Sequence, residues 1–499
     1  MSTPTTWDAD VPVALSARPS DVLLAAGLLG CAFQLLFWGT GLGLSFPTFV
    51  VLLLSAVWWV GRRHDIALAG SSVAITAAAV VLAAGVAVRA EPLTTAVNVV
   101  VVVGLLAVLV HTFGSDRWLR YGLRDWLLAA LRLAGHEVTG APAAIMAQQR
   151  SAAETRRWRR LMPLLRGLAI AGPLVVLLAS LLVSADSVFA AKLDRWTPSL
   201  PRFDEAVGRL VLASLAAYAV AGGLWHLLQR RAGAIIADVA VPKVLGFTEA
   251  AIVLGSVNAL FAGFVAVQLR YFFGGRDGLV AGGLNYADYA RRGFGELVVV
   301  AAVSLCVHLV LAGLTRRHTR RQRWAFSLLT GTLTTLVVVI LISAFQRLVL
   351  YEEAFGFTRL RTVVHVFMVW LGLLLVVLVA LELAGRVRLF LLASVLAVVG
   401  FALTLDVVGV DALIARHNVA RAVHGAQLDV AYLQGLSTDA VPELAAALPT
   451  LDPPLAEQVI DLLACFEGRI PQGDWRALRL ADVRARAALP TVAEARCLP

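Results

Sequence analysis

Long apolar runs recur along almost the whole chain and constrain its fold more than any other feature. Of the 499 residues, 59% are hydrophobic and 15% are charged, whereas soluble globular proteins carry about 25% charged residues. A helix of ~20 apolar residues crosses the ~30 Å hydrocarbon core of a bilayer. We predict eleven spans, over residues 22–40, 46–61, 66–88, 93–113, 164–185, 206–228, 247–270, 293–314, 325–347, 363–384 and 389–408. The predicted fold class is therefore all-α, a polytopic transmembrane helix bundle.

The basic residues predict the orientation of these spans. With the N-terminus in the cytoplasm, the inner connections carry 23 Lys and Arg residues and the outer ones carry 12. The two richest connections both fall inside, as the positive-inside rule requires. The first apolar run is longer than the core of a signal peptide, so we expect it to be retained as a span. The net charge of +10 thus indicates a membrane orientation and no nucleic-acid partner.

Composition divides the chain into four predicted regions. They are an N-terminal four-span region (1–113), a cytoplasmic basic amphipathic insertion (114–163), a seven-span core (164–408) and a C-terminal helical domain (409–499). In the last region we predict helices over 411–435, 438–447, 455–468 and 474–488. An odd number of spans places this domain outside the cytoplasm, where Cys465 and Cys497 can pair. An even number would place it inside, with both cysteines reduced.

The insertion interleaves arginines and tryptophans with leucines. Helices of this type lie in the plane of an anionic leaflet, so we expect the cytoplasmic leaflet to be a partner. The residues predicted to contact its lipids are Arg117, Trp118, Arg120, Arg124, Trp126 and Arg132.

The densest polar stretch is Asn285 to Glu296, directly before an apolar run. If this stretch is helical, Asp288, Arg292 and Glu296 share one face, and Asn285 stands at the N-cap position. A carboxylate just inside the apolar zone needs a partner, for which an arginine is expected. Two interpretations stay open: an interfacial anchor, and a binding or switching site.

Mixed charge and tyrosines recur in three consecutive outer connections, after the fifth, seventh and ninth spans. In the last of these, Glu352 and Glu353 lie at a helix C-terminus, where the dipole disfavours carboxylates unless an arginine neutralises them. We predict that the three connections converge on one extracytoplasmic polar site, although three unrelated surface loops fit equally well. The candidate residues are Asp186, Arg270, Asn285, Tyr286, Asp288, Tyr289, Arg291, Arg292, Glu296, Tyr351, Glu352, Glu353, Arg359 and Arg361.

The spans themselves hold few polar groups. His308 stands nearly alone and is expected to be a hydrogen-bonded packing residue, while His111, His226 and His365 lie at different span ends. The four cysteines form no C-x-x-C motif. We therefore predict no metal site, no cofactor and no catalytic residue.

Four strings in the chain resemble those of a family of bacterial multi-pass membrane proteins known only as a domain of unknown function. They are S-A-D-S-V-F at 184–189, N-Y-A-D-Y-A-R-R-G-F-G-E-L at 285–297, Y-E-E-A-F-G-F-T-R-L-R at 351–361 and L-D-V-A-Y-L-Q-G-L-S-T-D-A-V-P at 428–442. The resemblance covers residues 160–445 and implies a bacterial inner (plasma) membrane location. It implies no activity.

Three functions follow as hypotheses. The preferred one is a non-enzymatic envelope scaffold, sensor or accessory subunit, with an envelope protein as a candidate partner. A transporter or lipid translocase is the second, although the spans offer few groups to line a polar path. The third is an envelope enzyme acting on lipid-linked substrates. In that case Asp288, Glu296, Glu352 and Glu353 supply acid and base groups.

Overall fold

The computed structural model describes residues 18–66, 69–121, 123–152, 203–229, 244–273, 294–471 and 473–489. Sixteen α-helices lie in these ranges. In chain order they are α1 (Pro19–Phe37), α2 (Ser45–Arg63), α3 (Gly70–Val88), α4 (Pro92–Thr112), α5 (Leu123–Ala152), α6 (Phe203–Gln229), α7 (Phe247–Phe273), α8 (Phe294–Leu314), α9 (Arg320–Phe355), α10 (Arg359–Leu383), α11 (Phe390–Val408), α12 (Val410–Val423), α13 (Val430–Gln434), α14 (Val441–Ala447), α15 (Pro453–Glu467) and α16 (Leu480–Ala488).

Ten of these helices, α1 to α4 and α6 to α11, are long and apolar enough to cross a membrane. Each coincides with a predicted span, and the predicted span at 164–185 lies outside the described residues. The predicted all-α fold class is confirmed. Helix α9 is the longest, at 36 residues. Its length of about 54 Å exceeds the bilayer core, so it extends into the aqueous phase.

Three apolar cores hold the helices together. The first joins α1 to α6 and includes Ala402 of α11. The second joins α7 to α10 around Leu333, Val337 and Ile340 of α9. The third lies inside the C-terminal helices, α12 to α16, and continues into the bundle through Leu405 of α11. The C-terminal helices therefore share a core with the membrane helices instead of hanging from a linker.

The C-terminal helices cover one end of the bundle, which we call the tail end. It contains the C-termini of α1, α3, α9 and α11 and the N-termini of α2, α4 and α10, as helices that alternate in direction require. Gly409 separates α11 from α12 in a left-handed conformation with φ 63°, which is a common way for a helix to end. The opposite end of the bundle is the far end.

The orientation of the tail end can be tested by thiol labelling in intact cells. With Cys465 and Cys497 replaced by serine, Asp461→Cys places a thiol on an exposed position of α15. If the tail end is extracytoplasmic, a membrane-impermeant maleimide will label it to the same extent before and after lysis.

The matched control is Arg321→Cys, at an exposed position of the far end. We expect this thiol to be labelled only after lysis. The reverse pattern would place the C-terminal helices in the cytoplasm.

Candidate functional site

The structure describes only part of the predicted polar site. Asp186, Asn285, Tyr286, Asp288, Tyr289, Arg291 and Arg292 lie outside the described residues, as does the convergence of the three connections. Arg270 lies in α7, and Glu296 is exposed in the first turn of α8. The remaining five, Tyr351, Glu352, Glu353, Arg359 and Arg361, lie together where α9 turns into α10 at the tail end.

Arg359 is the centre of the polar network at the tail end. Its Nε donates to Oδ1 of Asp411 at 2.8 Å and its Nη2 donates to Oδ2 at 2.7 Å, a bidentate pair. Nε also lies 3.5 Å from Oε1 of Glu91. The side chains of Asp411 and Glu91 are 0% and 2% exposed, against 27% for Arg359. The guanidinium thus neutralises two buried carboxylates at the edge of the membrane region.

The same residues bind the C-terminal helices to the bundle. The amide of Ser437 donates to Asp411 Oδ2 at 2.6 Å, and Nη2 of Arg359 donates to the carbonyl of Gly435 at 2.9 Å. The backbone amide of Arg359 donates to the hydroxyl of Tyr432 at 2.8 Å. Burial raises the pKa of Tyr432, so the hydroxyl stays neutral. Every partner of Arg359 here, except Glu91, belongs to the C-terminal helices.

A second anchor lies at the connection between α3 and α4. Asp439 Oδ2 accepts from the amides of Ala90 and Glu91 at 2.6 and 3.1 Å. Burial raises the pKa of Asp439, while these amides and Arg89 oppose that shift. Arg89 donates to the carbonyls of Asp406 and Val407 at 2.6 and 3.2 Å, which caps the C-terminus of α11. Glu91 in turn accepts from the first amides of α4, a favourable place for a carboxylate.

We call the set Arg89, Glu91, Arg359, Asp411 and Asp439 the tail lock. All five are hydrogen-bonded or ion-paired, and they join two connections of the bundle, α3–α4 and α9–α10, to α12 and to the segment after α13. Below them, Asn98 donates to Asp406 Oδ1 at 2.8 Å. A Cβ on Gly85 would come within 2.4 Å of Oδ2 of Asp406, so a larger residue at position 85 would require the Asp406 and Asn98 side chains to shift.

The remaining predicted residues support the turn between α9 and α10. The guanidinium of Arg361 lies 4.0 Å from the centre of the Tyr351 ring and donates to the carbonyl of Gly356 at 2.6 Å. Buried Glu352 pairs with His365 at 3.2 Å, whereas Glu353 is exposed. The described partner of Glu352 is thus a histidine, and the expectation that an arginine neutralises it stays a prediction.

Histidines at the far end are closer together than predicted. His111, His226 and His136 come from α4, α6 and α5. Nδ1 of His111 lies 3.0 Å from Nε2 of His226, and Nδ1 of His226 lies 2.7 Å from Nδ1 of His136. His111 and His226 therefore hydrogen-bond directly rather than lying apart. Beside them, burial raises the pKa of Glu137 to about 7.

His308 is likewise not isolated, since it faces Glu382 of α10. Among the described residues, no group of three or more His, Cys, Asp or Glu is placed to hold a metal ion.

Helix α5, within the predicted insertion, packs along α6, with Gly140 against Gly222. Trp118, in the short 3₁₀ turn before it, is 4% exposed and donates to Ser71 at 2.9 Å. Its predicted contact with lipid does not fit this burial, because the ring packs against Trp126 inside the protein. Leu127 and Leu131 are exposed instead.

A comparison with protein families shows to which family this chain belongs. The family described as a domain of unknown function (DUF4153) matches residues 76–447. The chain belongs to this family. The match begins in α3, further towards the N-terminus than the four strings indicated, and it includes all of the tail lock. Searches of curated proteins and of solved structures found no match.

The tail lock can be tested by removing one charge. Arg359→Gln leaves buried Asp411 without its counter-charge, and breaking a buried pair costs about 3–5 kcal/mol. We therefore expect a lower midpoint of thermal unfolding in detergent and faster proteolysis of the C-terminal helices.

Arg416→Gln is the matched control. Arg416 forms an equally bidentate pair with Glu443, but its side chain is 60% exposed, and exposed pairs contribute about 0–1 kcal/mol. Equal effects of the two substitutions would show that the tail lock does not hold the domain.

Proposed function

We propose that this protein is a non-enzymatic scaffold, sensor or accessory subunit of the bacterial plasma membrane, whose C-terminal helices form an extracytoplasmic recognition surface. The tail lock carries this proposal. Its buried charged groups pair with one another and with backbone groups, and these contacts fix the position of the C-terminal helices. A rigidly presented surface is what a scaffold requires, because binding then costs little conformational entropy.

The surface that this arrangement offers is the outer side of α15. Helix α15 packs on α13 and α14 through Val459, Leu462 and Leu463, which are buried. Its opposite side exposes Glu457, Gln458, Asp461 and Glu467. Charged rim residues of this kind steer association and give specificity. A basic surface of another envelope protein is the partner that this chemistry favours.

A transporter or lipid translocase is the second candidate. The observation that favours it is the contact between His308 and Glu382 within the spans, since ionisable residues inside a membrane are costly and usually functional. The apolar groove between α4, α10 and α11, with a volume of about 460 Å³, offers no polar path.

The scaffold proposal can be tested by photocrosslinking in the native bacterium. A photoreactive residue at position 458 or 461 of α15 should give a discrete protein adduct in living cells. Combining it with Arg359→Gln should weaken that adduct, because the helices are then no longer held in place.

Position 369 of α10 provides the control, since Val369 is exposed on a span and should crosslink to lipid. If neither position of α15 gives a protein adduct, while reconstituted protein moves a solute across vesicles, the transporter replaces the scaffold.

A further inference from the structure

A small polar cluster lies inside the membrane region between α8, α9 and α10. His308 is six residues from the far end of α8, and Glu382 is one residue from the far end of α10. From α9, the hydroxyl of Thr330 donates to Glu382 Oε1 at 2.6 Å, and that of Thr334 lies 3.5 Å from His308 Nδ1. Three spans thus contribute to one site, within about 9 Å of the far end by helix rise.

The two ionisable groups of this cluster face each other without a hydrogen bond. His308 Nε2 and Glu382 Oε2 lie 3.4 Å apart, and their side chains are only 2% and 8% exposed. Both atoms are buried and neither has a hydrogen-bond partner. Leaving such atoms unsatisfied is costly in a protein interior, so this arrangement points to a bound species that satisfies both.

The charges around the pair limit what that species can be. Arg317, in the connection between α8 and α9, acts electrostatically on both His308 and Glu382, and Arg323 acts on Arg317. On the other helices packed here the described polar groups are neutral or distant: Asn258 of α7 donates to the carbonyl of Leu329, and Asp406 of α11 lies at the tail end. A metal cation would meet the positive Arg317 and only one carboxylate.

We propose that His308 and Glu382 bind one exchangeable proton between them. The proton comes from hydronium in the aqueous phase at the far end, which leaves as water, and it forms an N–H or O–H bond shared by the two facing atoms. No other bond changes. With Arg317 charged, uptake changes the net charge of the cluster from zero to +1.

The site exchanges with the far end rather than with the tail end. Along α10, the next histidine–carboxylate pair, His365 with Glu352, lies 17 residues away, which is about 25 Å along a helix. Between the two pairs, the contact of α9 with α10 is formed by apolar side chains such as Leu333, Val337, Leu371 and Leu375. This proton site is independent of the scaffold proposal, because none of its residues belongs to the tail lock.

The test is a count of protons taken up by the purified full chain between about pH 8 and about pH 4, a range that spans the ordinary pKa values of imidazole and carboxyl groups. The double variant, His308→Gln with Glu382→Gln, should take up about one proton fewer than the unaltered chain, because the two facing atoms bind one proton in total. Each single variant should lose less than one proton, since the imidazole or carboxyl group that remains can bind a proton of its own, but its uptake should occur at a different pH.

Thr334→Val is the matched control, since it alters the cluster without removing an ionisable group, and it should retain full uptake. If the double variant fails to fold, the uptake curve of His308→Gln, compared with that of Thr334→Val, decides alone. A double variant that loses about two protons or none, or a His308→Gln chain whose uptake curve coincides with that of Thr334→Val, would overturn the proposal.

Discussion

The ion pair between Arg359 and Asp411 is the interaction on which the tail end depends. Asp411 is fully buried, and an isolated carboxylate there would have to lose its charge or move into water. Arg359 supplies the positive charge in the fork geometry that suits a carboxylate. Because Arg359 begins a membrane span and Asp411 begins the first helix after the last span, this one contact fixes the C-terminal helices over the bundle.

The other polar groups of the described residues follow the same rule, namely that a buried charged group needs a partner. At the tail end, Asp439 and Glu91 accept backbone amides of the connection between α3 and α4, so their charges replace hydrogen bonds that water would otherwise provide. Between the two ends, the helices meet through leucine, valine and alanine. A rigid polar cap over an apolar bundle follows from these two patterns, and it agrees better with presenting a surface than with conducting a polar solute.

Much of this fold was predictable because span length and apolar composition are local properties. Nine of the ten described spans begin and end within about four residues of the predicted bounds, whereas α9 extends five residues beyond the predicted start and eight beyond the predicted end. Glu91 carried a local signal as well, as an acid directly before Pro92 and a long apolar run. The pairing of Arg359 with Asp411, 52 residues away, had none, since two charged residues near different span ends do not identify each other. His308 and Glu382 share one depth, but depth alone does not place two helices side by side.

Two histidine–carboxylate pairs share helix α10 but differ in burial, and only one of them suits proton exchange. Glu352 and His365 contact at 3.2 Å at the tail end, where the histidine is 30% exposed and water reaches the pair. His308 and Glu382 contact only at 3.4 Å and are almost completely buried. In the first pair, solvent screens the interaction between the two side chains. In the second, the side chains are almost completely buried and the facing atoms have no hydrogen-bond partner, so the energy of the pair depends on whether a proton lies between its members. This difference in burial is why we assign the proposed exchangeable proton to the buried pair and not to the pair at the tail end.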